Sequence, residues 1–317
     1  MKKVYISQGH ESGIGLEVLI KSIVLLSPAE IEKLHLFTFK DSLIKTLKSL
    51  NIPFNLNERR LKIANKHLAL SFLNEVDFSE SFTSLTSAMK HAEANGILFT
   101  LPTSKDQFPQ GAGHTEYFRK KYKSLNLGMF FSGPNSQVLL VTDHIAVKEL
   151  SKTLTTTRIT DTIKKSLNTL IEWNWPIKDI FIAGLNPHAG EDGLIGDEDH
   201  RVKESIHNLK KHFHKNITGP FSGDTMYNLK GHKDDLLIYL FHDQGLGVFK
   251  SLEGFIGSNI TLGLSFPRFS PDHGTSFSLF EKNKADYRGC HFSLKQALTL
   301  LKRLEHGQDS SNQSKGS

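Results

Sequence analysis

Short apolar runs alternate along the chain with longer stretches in which apolar residues recur every three or four positions. The first run, Val4 to Ser7, reads as a strand. It enters a polar, glycine-containing loop over residues 8–15 and then a helical stretch from Leu16 to Leu26. Ser27-Pro28-Ala29-Glu30 opens the next helix, with Ser27 as cap, Pro28 in the first turn and Glu30 three residues past the cap. Leu34 to Phe39 predicts a second strand, and Asp41 is placed to cap a helix running through Leu50. Further strands are predicted at 97–101, 129–131, 138–141, 180–185 and 236–241. Helices are predicted at 83–94, 117–122, 160–173, 198–212 and 293–304. This alternation predicts an α/β architecture with a largely parallel or mixed sheet.

The chain has 317 residues, 38% of them hydrophobic, which is room for one large or two modest domains with ample core. No apolar run approaches the roughly 18 residues of a membrane helix, and Met1 to Ile6 reads directly as a strand without a signal-peptide core. A cytoplasmic location is expected, without a membrane partner. Lys and Arg number 39 against 33 Asp and Glu, a net charge of +6. The basic residues are scattered rather than gathered in one stretch with aromatics, so the balance suits small anionic substrates and no nucleic-acid partner is expected. A single cysteine, Cys290, excludes an intrachain disulfide and a Cys-rich zinc site. Residues 306–317, polar and aperiodic, predict a disordered tail.

The candidate chemistry gathers behind strands. The runs ending near Val141, Leu185 and Phe241 lead into His144, His188 and His242. Open α/β sheets bind ligands beyond the carboxyl ends of their strands, and three imidazoles arriving there from separate strands leave a divalent metal one open position. Taken singly, each histidine is better explained as a hydrogen-bonding loop residue, and it is the three in matching positions that bring a metal into view. The segments around them are rich in glycine and polar groups: Asn186-Pro187-His188-Ala189-Gly190-Glu191, Phe241-His242-Asp243-Gln244-Gly245 and, further on, Asp272-His273-Gly274-Thr275. Any one of these could be a turn made by Asp and Gly; together they predict a site. Gly111 to Glu116 precedes a helical run and suits a phosphate or carboxylate, although Thr115 could equally be a helix cap. The Gly9 to Gly15 loop matches neither G-x-x-x-x-G-K-[ST] nor G-x-G-x-x-G, so a nicotinamide cofactor must be held in a non-Rossmann manner.

At these residues the sequence resembles the 4-hydroxythreonine-4-phosphate dehydrogenase (PdxA) family of vitamin B6 biosynthesis. The resemblance rests on ordered matches over most of the chain: Gly13-Ile14-Gly15, Gly113-His114-Thr115-Glu116, Thr142 with His144, Gly184 through Glu191, Gly219-Pro220, Asp224-Thr225, His242 through Gly245, Asn259 through Leu264, Asp272 through Thr275, and Lys284-Ala285-Asp286. It implies a two-domain fold like that of the isocitrate and isopropylmalate dehydrogenases, with mixed sheets, an interdomain active-site cleft and a homodimeric assembly. Residues 1–105 with 276–305 are expected to form the first domain and 106–275 the second.

The resemblance further implies a metal held by His144, His188 and His242, with zinc, cobalt, manganese or magnesium all open. It implies substrate contacts at His114, Thr115, Lys250, Asn259 and Arg268, the last suited to a bidentate grip on an anion. Asp272, Gly274 and Thr275 are assigned to a cofactor, NAD or NADP. Asp224 and Asp243 are candidates for orienting a metal-bound histidine or relaying a proton. The implied reaction is oxidation of 4-phosphooxy-L-threonine and loss of carbon dioxide to give 3-amino-2-oxopropyl phosphate. Three segments depart from the family pattern. His10-Glu11-Ser12 stands where [DE]-P-A is usual, Leu101-Pro102-Thr103-Ser104-Lys105 has lost a glycine, and 265–271 differs in detail. These leave open a related dehydrogenase for another phosphorylated hydroxy acid, such as 4-phospho-erythronate, a cis-dihydrodiol carboxylate dehydrogenase, or a non-catalytic metal- or small-molecule-binding protein.

Overall fold

The computed structural model describes residues 2–111, 113–124 and 126–313. The chain divides into two compact units, Met1–Lys123 with Leu264–Ser317, and Ser124–Gly263. The sequence predicts divisions at 105 and 275, whereas the helix at 114–121 and the run at 268–275 belong to the first unit.

The first unit contains β1 (Lys3–Ser7), α1 (Gly15–Leu25), α2 (Pro28–Glu32), β2 (Leu34–Thr38), α3 (Lys40–Ser49), β3 (Phe54–Leu56), β4 (Arg60–Ile63), β5 (Lys66–Phe72), α4 (Glu80–Asn95), β6 (Gly96–Thr100) and α5 (His114–Lys121). After the second unit the chain returns with β13 (Arg268–Pro271) and α10 (Arg288–Gln313). The expected tail overlaps the end of α10, and residues 314–317 lie outside the described residues, as does Ala112 of the Gly111–Gly113 loop. The strand order is β13-β6-β1-β2-β5-β4-β3. Pairing is parallel from β13 through β5, and β4 and β3 continue as an antiparallel ribbon. Val4, Ile6, Leu34, Leu36, Ile97 and Phe99 fill the sheet interior. α1 packs against α10 and α3, and its Leu16, Leu19, Ile20 and Ile23 recur at helical spacing and are buried. Ser27 and Glu30 form the expected capping box.

Asp41 is not a cap. α3 begins one residue before it, with Phe39 at the N-cap position, and the Phe39 N–H finds its acceptor 2.8 Å away in the Gln8 side-chain carbonyl. No side chain caps the first turn of α3, and Gln8 instead satisfies the N–H of its N-cap residue. Thr115 likewise lies inside α5, whose N-cap is Gly113.

The second unit contains β7 (Gly128–Ser132), β8 (Gln137–Leu140), α6 (Leu150–Thr153), α7 (Thr156–Glu172), β9 (Ile180–Ala183), α8 (Asp199–Lys210), β10 (Ile217–Phe221), β11 (Leu236–Tyr239), α9 (His242–Glu253) and β12 (Ser258–Leu262). Its strand order is β10-β9-β11-β8-β7-β12. The first four are mutually parallel, and β7 pairs antiparallel with both β8 and β12. Phe131, Val138, Leu140, Leu237, Tyr239, Leu246 and Phe249 close a core between the sheet and α9. Among the described residues no helix is long and apolar enough to cross a membrane.

Candidate functional site

β9, β11 and β8 are adjacent parallel strands, and their carboxyl ends lead into His188, His242 and His144 respectively. His242 is the first residue of α9, and Gly245 fixes where that helix starts. A Cβ at Gly245 would lie 2.5 Å from Leu140 Cδ2 and 2.9 Å from Tyr239 Cβ, so only glycine lets the first turn of α9 lie on β8 and β11. The rings of His144 and His242 have centroids 5.3 Å apart.

Each imidazole turns Nδ1 toward a carboxylate. His188 Nδ1 lies 2.5 Å from Glu191 Oε1 and His242 Nδ1 2.7 Å from Asp243 Oδ1, while His144 Nδ1 is 4.0 Å from Asp143 Oδ2. The hydrogen bond to Glu191 and its charge raise the His188 pKa above the ordinary imidazole value, and Asp224 adds to the effect. Asp224 is held below the usual carboxylate range, first by the Ser222 hydroxyl, which donates to it at 2.6 Å, with His188 contributing.

The donor chemistry fits a divalent metal: at His188 and His242 the carboxylate on Nδ1 fixes the tautomer and orientation in which Nε2 is the ligating atom. The spacing does not complete such a site. Among the described residues no three His, Cys, Asp or Glu side chains are close enough together to hold a metal ion. His144 and His242 are brought together, and His188 stands with Glu191 and Asp224.

The loop of His188 has an unusual backbone. His188, Ala189, Gly190, Glu191 and Asp192 are consecutively left-handed, with φ values of 51°, 53°, 80°, 42° and 53°. For residues other than glycine this conformation costs about 1–2 kcal/mol each, so the turn must be imposed by its surroundings. Buried Asp199 accepts the N–H groups of Leu185 and Asn186 at 2.6 and 3.0 Å. Glu198 accepts the Asn186 side-chain amide and the Ser151 hydroxyl, both at 2.9 Å. Nothing in the sequence pattern alone assigns a role to Glu191, Glu198 or Asp199. The signal available was a string of four acidic residues, 191, 192, 197 and 198, ahead of Asp199 in a glycine-rich stretch. Asn259, on β12, has a buried side-chain carbonyl without a hydrogen-bond partner among the described residues, as a ligand-binding amide does. Lys250 lies two turns along α9 from His242 and is exposed.

In the first unit His114 and Arg268 come together. Burial, and then the Arg268 charge, lower the His114 pKa well below its ordinary value, so its imidazole is neutral at pH 7. Burial pulls Arg268 down to about 9, which leaves it charged at pH 7. Its guanidinium lies over the Phe118 ring, 5.9 Å from the centroid. The expected bidentate grip on an anion needs correcting for one edge: Nε and Nη2 both donate to Thr100 Oγ1. Thr115 is half-buried on α5. Asp272, Gly274 and Thr275 follow β13 and are stitched to the first loop, because Ile14 N–H donates to the Thr275 carbonyl at 3.1 Å. His10 N–H in turn donates to the Pro102 carbonyl at 3.0 Å. The loops behind the parallel strands β1, β6 and β13 thus form one connected rim.

The family described as pyridoxal phosphate biosynthetic protein PdxA matches residues 19–300. A 4-hydroxythreonine-4-phosphate dehydrogenase of Sulfurihydrogenibium sp. (strain YO3AOP1) is 31% identical, over 96% of this chain and 99% of its own. A protein of Oceanobacillus iheyensis, provisionally named a D-threonate 4-phosphate dehydrogenase, is 28% identical over 93% of this chain and 96% of its own. The solved structure of 4-hydroxythreonine-4-phosphate dehydrogenase from Klebsiella pneumoniae superposes with a TM-score of 0.74 at 25% identity, covering 95% and 98% of the two chains.

Proposed function

The chain belongs to the PdxA family, and from that premise we propose that it is a metal-dependent, NAD(P)-linked dehydrogenase. It oxidises and decarboxylates 4-phosphooxy-L-threonine to 3-amino-2-oxopropyl phosphate in vitamin B6 biosynthesis. The observation that carries the reading is the arrival of His188, His242 and His144 from three adjacent parallel strands, with carboxylates hydrogen-bonded at Nδ1 of His188 and His242. These three residues are assigned as ligands of one divalent metal. When bound, the metal supplies Lewis acidity toward the substrate hydroxyl and the nicotinamide accepts a hydride.

The chain's own residues bind, orient and hold charge. Asp243 orients His242, and Glu191 orients His188. Asp224, kept ionised by Ser222, is a weak base and a good partner for a cation. Lys250 and Asn259 in the second unit are assigned to the substrate, Lys250 by charge and Asn259 by its unpaired carbonyl. His114, Thr115 and Arg268 in the first unit are assigned in the same way, His114 as a neutral hydrogen-bonding group. Asp272, Gly274 and Thr275 are assigned to the cofactor. A homodimer working in the cytoplasm completes the reading.

A second reading follows from the Oceanobacillus relative. D-Threonate 4-phosphate carries a hydroxyl where 4-phosphooxy-threonine carries an amine, and shares its anionic groups. The carboxylates of Glu191, Asp224 and Asp243 near the imidazoles favour a substrate ammonium, which places the amino acid first. Reduced-nicotinamide absorbance with each substrate, with NAD and NADP, before and after chelation, tests both. Reduction with the amino acid that chelation abolishes is expected. Faster turnover of D-threonate 4-phosphate would transfer the assignment to the second reading, and no reduction with either would sink both.

A further inference from the structure

We infer that Gln244 is a positioning residue that fixes the loop of His188 to the start of the helix bearing His242. The inference rests on the reading of those histidines as metal ligands. Its side-chain amide is used at both ends: Nε2 donates to the Gly184 carbonyl at 2.8 Å, and Oε1 accepts the Leu240 N–H at 2.9 Å. Gly184 immediately precedes Leu185 and Asn186, whose N–H groups are taken by Asp199. Leu240 lies two residues before His242. A third loop packs on the same amide, because a Cβ at Gly223, next to Asp224, would stand 2.7 Å from Gln244 Nε2. The segments carrying His188, Asp224 and His242 therefore converge on one side chain.

The need for such a clamp comes from the backbone. Five left-handed residues in a row have no local reason to persist, and rotating the loop about Gly184 would relax them and carry His188 away. Asp199 grips the loop from α8, and Gln244 grips it from α9. An amide alone meets both demands at position 244. An ionised carboxylate would still accept from Leu240, but would set an oxygen against the Gly184 carbonyl. Asparagine is one methylene too short to reach both partners.

Gln244→Glu in the full chain is the direct test, because it keeps the shape and removes the donor. Gly223→Ala, which presses a methyl against the same amide, is a second variant should the first fail to fold. Gln137→Glu is the control. Gln137 also bridges two groups, donating to the Pro176 carbonyl at 3.0 Å and accepting Trp175 Nε1–H at 2.9 Å, but at the amino end of β8, away from the histidines. Two readouts are taken: Co2+ titration followed by its visible absorption, and amide hydrogen exchange at Leu185 and Asn186 without metal.

Gln244→Glu is expected to weaken Co2+ binding about 10–100-fold, alter the band intensities, and speed exchange at both amides. Gln137→Glu should leave all three unchanged, even where it lowers thermal stability. Wild-type Co2+ affinity and spectrum in Gln244→Glu would overturn the inference. If the wild-type protein itself takes up no Co2+, the metal reading fails, and exchange decides the clamp separately. Faster exchange in Gln244→Glu then supports the clamp, and unchanged exchange overturns it.

Discussion

Arg268 directs Nε and Nη2 at one acceptor, the Thr100 hydroxyl, at 3.1 and 2.6 Å in the interior of the first unit. Arg268 opens β13 and Thr100 closes β6, and the two strands are parallel neighbours. The pair thus joins a buried charge to the sheet itself. Replacing Thr100 by valine keeps the volume and withdraws the acceptor from a desolvated guanidinium. A loss of about 1–3 kcal/mol is expected, measured by denaturant unfolding. In the Arg268→Met background the same substitution should cost far less, and equal costs in both backgrounds would show that the contact carries no energy.

His114 makes the first unit sensitive to acid. In the native state desolvation and the Arg268 charge keep its half-buried imidazole neutral well below 6.5, whereas the unfolded chain takes up the proton near 6.5. Below that value the unfolded state binds more protons, so its contribution to stability is full above pH 6.5 and is lost as pH falls. His114→Phe should therefore flatten the pH dependence of unfolding between pH 7 and 5. An unchanged slope would place the acid sensitivity elsewhere.

Much of this was legible in the residues, for reasons that can be named. β1, β8, β9 and β11 are short apolar runs, and the polar residues behind them announced where ligands bind. The ribbon β3–β4 was not, because Arg60 and Lys62 alternate with Leu61 and Ile63 over too few residues to stand out. α3 begins at Lys40, before Asp41, and the partner of its N-cap N–H is Gln8, distant in sequence. The left-handed turn at His188 was invisible for a similar reason. Only Gly190 of its five residues adopts that conformation without cost, and the carboxylate that helps impose it sits on another element. The histidines could be placed at strand ends, but which carboxylate faces which ring is set by loop geometry that composition does not encode.

Asp243 separates orientation from simple charge at His242. Its Oδ1 lies 2.7 Å from Nδ1, while its side chain is 92% exposed, so its removal should not disturb the core. Asp243→Asn retains the shape and weakens the acceptor. Zn2+ affinity by calorimetry should fall about tenfold or more, with the thermal midpoint of the metal-free protein within a degree or two of wild type. Undiminished affinity would remove Asp243 from the site.

Gly184 bears on the same turn from its other side. A methyl there would stand 2.6 Å from Asp199 Oδ1 and 2.7 Å from Ala189 Cα, closer than real Cβ contacts allow. Neither neighbour can yield easily: Asp199 is buried and holds two backbone N–H groups, and Ala189 is part of the left-handed turn. Gly184→Ala should therefore cost about 1–3 kcal/mol by overpacking, and should displace the His188 loop rather than the core. The distinguishing measurement is hydrogen exchange, expected to quicken at Leu185 and Asn186 while Ile182 and Leu237, in the strands beneath, stay protected. Uniform loss of protection would mean that Gly184 supports the whole sheet, and that the turn has no separate mechanical identity.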